Sequence, residues 1–128
     1  MDRIDIHIEV PELNYAELSY PGQEESSADI RLRVEEARKA QRMRLNTERI
    51  YCNAQMNPRM TKKYCLLTEG AKELLREAMN ELSFSARAFD KILKVSRTIA
   101  DLSHSIPIEA EHISEAVQYR SLDKANIY

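Results

Sequence analysis

The chain has 128 residues, 43% of them hydrophobic and 31% charged, with a formal net charge of −2. That supports one modest core and is too apolar for a disordered chain. The near-neutral balance gives no global pull toward nucleic acid or an anionic membrane, and no apolar run approaches the roughly 18–20 residues that span a bilayer. Two glycines and four prolines, with many Glu, Lys, Arg, Leu and Ala, point to helices. Cys52 and Cys65 lack the spacing of metal ligands. With no leader-like segment, they read as reduced thiols, and a cytoplasmic location is expected.

Ile4, Ile6, Ile8 and Val10 alternate with Asp5, His7 and Glu9, a period of two that predicts a strand. No second strand of comparable quality follows, so this one needs a sheet from elsewhere. The expected division is a strand over 1–11, left over from an absent core, and a linker over 12–27 with Pro21-Gly22 as its turn. A helical domain over 28–123 and a frayed tail over 124–128 complete it.

Ser26 or Ser27 is expected to cap a long helix to about Leu45, with Ile30, Val34, Ala37, Gln41 and Leu45 or Arg44 as a thin inward stripe. Arg31, Arg33, Arg38, Lys39, Arg42 and Arg44 make this the most basic part of the chain. Interleaved Asp29, Glu35 and Glu36 favour a solvated face over a nucleic-acid surface. Residues 46–56 read as irregular, with Ile50 and Tyr51 turned inward. Asn57-Pro58 starts a short helix to about Cys65, and Thr68 caps another to about Leu82. Ala71, Leu74, Leu75, Ala78 and Leu82 form its inner face. A last helix is expected from Glu109 to Arg120, with Ile113, Ala116 and Val117 inward and Ile108 stapled on Ile113.

Between these lies the most regular segment, Ser83 to Leu102. Phe89, Ile92, Leu93, Ser96, Ile99 and Ala100 line one helical face, while Asp90, Lys91, Lys94, Arg97 and Asp101 fall mostly off it. Ser83 or Ser85 caps the start. Arg87 then sits in the first turn, where the helix dipole disfavours a cation by ~0.3–1 kcal/mol. Either it is solvated or paired with Asp90 three residues on, or it faces an anion at the helix start. The residues alone favour the first.

Other chemistry is thin. There is no G-x-x-x-x-G-K-[ST] loop and no acidic strand end for a magnesium ion. His7, His104 and His112 lack metal spacing and read as structural or surface groups. Ser83 and Ser85 read as caps, and the cysteines as small hydrophobes. By itself this segment is expected to catalyse nothing.

Ser85-Ala-Arg-Ala-Phe-Asp-Lys-Ile-Leu-Lys-Val-Ser-Arg-Thr-Ile-Ala-Asp-Leu, with His112-Ile-Ser-Glu-Ala-Val-Gln-Tyr-Arg, resembles the C-terminal domain of the magnesium-chelatase-like AAA+ ATPases. Asp2-Arg-Ile-Asp-Ile-His-Ile-Glu-Val-Pro and Cys52-Asn-Ala-Gln-Met extend the likeness to nearly the whole chain, in the competence-protein (ComM/YifB) branch. The resemblance implies an all-α helical lid, preceded by one β-strand of the α/β core. It implies that Arg87 is the sensor-2 arginine, touching the nucleotide phosphates of its own subunit. Arg3 would be an arginine finger reaching the neighbouring subunit's nucleotide. Lys91 stands where relatives often carry arginine, which keeps the charge but loses the planar fork. ATP and magnesium are implied for the parent protein rather than for this segment. The implied partners are the rest of the AAA+ core, neighbouring subunits of a hexameric ring and branched DNA, with no membrane. The readings set against it are a self-contained DNA- or protein-binding module using the 31–44 face, and the lid of a true metal-inserting chelatase subunit.

Overall fold

A computed structural model describes residues 5–8 and 25–125, with side-chain surroundings as far as Arg120. Among them are five α-helices: α1 (Ser27–Arg44), α2 (Pro58–Tyr64), α3 (Glu69–Leu82), α4 (Ala86–Leu102) and α5 (Ala110–Ala125). Two short 3-10 turns, Asn46–Glu48 and Asn53–Gln55, join α1 to α2. The all-α expectation holds.

Each of the first four helices starts where a short polar side chain can accept from an unpaired amide. Ser26 accepts from Asp29 N–H at 3.1 Å, Asn57 from Met60 N–H at 2.9 Å, Thr68 from Ala71 N–H at 3.2 Å and Ser85 from Ala88 N–H at 3.1 Å. Pro58 occupies the first turn of α2, where its missing N–H costs nothing. The two serine candidates at the start of α4 have separate tasks. Ser85 caps α4, whereas Ser83 ends α3 in a left-handed conformation with φ of 51°.

The core is one cluster. Leu75 and Ala71 of α3, Ile92, Leu93 and Ala100 of α4, and Ile113 and Ala116 of α5 meet Leu45, Met56, Met60, Cys65 and Ile108. α5 packs chiefly on α4 and α3, and the carboxyl end of α1 lies against α4. Ile108 N–H donates to Leu66 O at 2.7 Å and Thr68 N–H to Ile108 O at 3.0 Å, a single bridge that fixes the entry to α5 against the start of α3. Ile108 and Ile113 are both fully buried where a staple was expected.

Four expectations need correction. Only the second half of the α1 stripe is covered. Ala37, Gln41 and Leu45 are buried, but Ile30 and Val34 remain 43% and 45% exposed, because the first turns of α1 extend past α4. Tyr51 is 70% exposed; only Ile50 packs inward. Arg97 and Asp101, placed off the apolar face by periodicity, are 2% and 4% exposed. Last, Phe89, set on the apolar face of α4 by periodicity, is 38% exposed. Residues 5–8 form no ladder, and the expected sheet for them was elsewhere. Their backbone instead meets α5, where His7 N–H donates to Tyr119 O at 2.8 Å. The remainder of the expected strand and the linker up to residue 24 lie outside the described residues.

Candidate functional site

One side of α4, from Arg87 to Ile99, lines a cleft of about 430 Å³, bounded also by Asp5, Ile6, Ala54 and Tyr119. Arg87, Lys91, Lys94 and Thr98 succeed one another at spacings of four, three and four, which keeps them on one side of a helix. Val95 and Ile99 supply apolar wall beside them. Ser85 caps the helix just ahead of Arg87, so the cleft also receives the positive end of the α4 dipole.

The three cations differ in their partners. Lys94 Nζ lies 3.1 Å from Asp90 Oδ2, one turn away on the same helix. Lys91 Nζ is paired with Asp5 Oδ1. Arg87 is exposed and makes no ion pair with any described residue. Of the two plain readings for Arg87, the pair with Asp90 is not formed, since Asp90 has turned to Lys94, and exposure to solvent is what the described residues show. Arg87 thus sits in an unfavourable place on its helix with no described carboxylate to offset it, and opens onto a cleft holding two further cations.

This arrangement fits an anionic ligand of several charges, such as a polyphosphate. Arg87 presents a planar fork of donors, and the lysines present point charges. It does not fit a magnesium ion. The cleft's two carboxylates, Asp5 and Asp90, are each already bound to a lysine. Arg3, the other expected site residue, lies outside the described residues.

Sequence periodicity missed a second polar centre, toward the carboxyl end of α4, which shares Thr98 with the cleft. Asp101 accepts from Arg44 through both oxygens, from Asn53 Nδ2 at 3.0 Å, and stands 3.3 Å from Arg97 Nη2. Arg97 also donates to three backbone carbonyls, Ile106 at 2.6 Å, Ser105 at 2.7 Å and Tyr64 at 3.4 Å. Asn53 completes the centre through Thr98 and the Gln41 side chain. Burial lowers the Arg97 pKa and the Asp101 charge partly restores it, so the pair is held by mutual neutralisation. This centre ties α1, the Asn53 turn, α2 and the loop after α4 together. Arg97 Nη1 and Nη2 are taken up by the protein itself, while its Nε is buried without a hydrogen-bond partner among the described residues. A signal was present in the sequence: Gln41 and Arg44 sat on the inward stripe of α1, and buried polar groups require polar partners.

Glu109, Glu111 and His112 bring ligand-type atoms within 4.8 Å of one another. His112 Nδ1, however, accepts the Glu109 N–H at 2.9 Å, so the neutral ring carries its proton on Nε2 and has no lone pair to offer there. Burial pushes the Cys65 thiol up to about 11, as suits a small hydrophobe rather than a nucleophile.

A capped helical lid with a cationic cleft at the start of its central helix is the class of domain that fold and site define. Residues 24–120 match the family described as magnesium chelatase, subunit ChlI C-terminal, and the chain belongs to that family. It is 38% identical to the competence protein ComM of Haemophilus influenzae over 123 residues, 95% of this chain and 23% of that protein. It is 35% identical to YifB of Salmonella typhimurium over 129 residues and 36% identical to YifB of Escherichia coli over 131, covering 100% of this chain and 25% of each relative. The chain thus spans about a quarter of the length of these relatives.

Proposed function

We propose that this domain is the nucleotide-sensing lid of a ring-forming AAA+ ATPase, with Arg87 as the residue that reads the phosphates. The observation that carries this reading is Arg87 itself: a cation in the first turn of α4, unpaired among the described residues and facing a cleft lined by Lys91 and Lys94. A preorganised cation at that position stabilises charge as it develops on the transferred phosphoryl group, without having to reorganise during the step. The cleft supplies no phosphate loop and no free metal ligands. This domain would therefore complete a nucleotide site whose remaining parts lie elsewhere in the protein.

On the same resemblance, Arg3 would act in trans on a neighbouring subunit of a hexameric ring, and binding energy changes at Arg87 would be converted into movement between subunits. The similarity to a competence protein along the whole chain supports DNA remodelling, of the branch-migration kind, as the work of the parent. The test is substitution of Arg87 in the full-length protein. Removing one such electrostatic contact should lower the ATPase rate by about 10²–10³. An undiminished rate would refute the assignment.

A further inference from the structure

We infer that Lys91 is a cation with two alternative partners: it holds Asp5 when the cleft is empty and a ligand phosphate when the cleft is filled, so that filling the cleft releases the segment Asp5–Ile8. This rests on the phosphate reading above and names how that site would be coupled to the rest of the chain.

Polar contacts to α4 and α5 hold the segment. The Asp5 carboxylate pairs with Lys91 of α4, His7 N–H donates to Tyr119 O of α5 at 2.8 Å, and Arg120 reaches the Asp5 carbonyl at a long 3.5 Å. Ile6 and Ile8 are 46% and 66% exposed, so apolar burial holds the segment only in part. Lys91 is largely covered but the Asp5 carboxylate is 53% exposed, so solvent screens the pair from the Asp5 side and weakens it. A polyphosphate placing several negative charges beside Arg87 would compete well with a single carboxylate for the Lys91 ammonium, whose point charge and flexible stem accept a new partner readily.

The other lysine gives the contrast. Lys94 is tied to Asp90 on its own helix, so a change of partner there moves nothing beyond α4. Lys91 is tied to a different part of the chain. Its exchange alone carries cleft occupancy from α4 to the backbone that runs on to the chain's amino terminus. Asp5 also contributes a wall of the same cleft, so release would open the site on that side.

The test is titration of the chain with inorganic pyrophosphate, followed by NMR at two places: the Arg87 Nε–H signal reports binding, and hydrogen exchange of the His7 amide reports the segment. Saturating pyrophosphate should shift the Arg87 signal and make the His7 amide exchange severalfold faster. Asp5→Asn should exchange fast at His7 without ligand and bind pyrophosphate about two- to fivefold more tightly, the range a solvent-screened carboxylate supports. Lys91→Gln should also exchange fast at His7 but bind more weakly, and adding Asp5→Asn to it should bring no further tightening. A shifted Arg87 with unchanged His7 exchange would overturn the partner exchange and leave the phosphate site standing. Equal tightening by Asp5→Asn with or without Lys91 would show Asp5 acting through the general field, and would also overturn it. No response at Arg87 would remove both readings.

Discussion

Asp101 is the residue on which most of the polar interior converges, receiving Arg44, Asn53 and Arg97 at once. Breaking a buried pair leaves uncompensated charge behind, at a typical cost of ~3–5 kcal/mol. Asp101→Ala should therefore cost about that much in chemical denaturation, since two guanidinium groups lose their counter-ion. A loss below about 1 kcal/mol would mean that Arg44 and Arg97 are adequately solvated without it. Cys65 gives a pH-dependent counterpart. Its folded pKa of about 11 lies above the ordinary 9.0, so the fold favours the neutral thiol. The corresponding stability is complete below about pH 9 and is lost as pH rises toward 11. Thermal melts across that window should show a decline that Cys65→Ala lessens, and thiol labelling at pH 8 should reach the half-buried Cys52 well before the buried Cys65. At this scale the sequence was only partly legible. The cation out of place at Arg87 could be read from a helix start, because capping chemistry is local. The Arg97–Asp101 pair could not, because its burial depends on Arg44 and Asn53, 57 and 48 residues from Asp101.

At the scale of elements, local rules went further. Caps at Ser26, Asn57, Thr68 and Ser85 place four helix starts where the sequence put them, since each is a contact across three residues. Ser85→Ala should cost about 1 kcal/mol, the typical value for a lost cap, and Ser85→Asp should retain most of it. Ser83→Ala, by contrast, changes no cap of α4; an equal loss there would mean that Ser85 is not the operative residue. The amphipathic stripe of α1 was legible as a pattern but not in its reach. Periodicity marks Ile30 and Val34 as inward, yet only tertiary packing decides how far along α1 its neighbours extend. The period-two run at Ile4–Val10, of which only residues 5–8 are described, has the same limit. Alternation gives the faces of a strand but supplies no partner, and the described residues 5–8 lie against α5 without a ladder.

For the molecule as a whole, fold and family were readable because many local signals agreed: capped amphipathic helices, few glycines and a likeness along the whole chain. The same view bounds what the domain can do alone. Without a phosphate loop, and with both cleft carboxylates ion-paired, the chain should bind ATP weakly and turn none over. Calorimetry with a coupled phosphate assay on the purified chain checks this, and micromolar binding with turnover would contradict it. The central claim is that Arg87 is kept for a ligand and not for the fold, and its most direct measurement compares two effects of Arg87→Ala. Removing a cation from the first turn, where the helix dipole opposes it, should leave the melting of this chain within about ±0.5 kcal/mol of the original. The same change in the full-length protein should reduce the steady-state ATPase rate by about 10²–10³. A large loss of stability with hydrolysis intact would make Arg87 a structural residue and contradict the account.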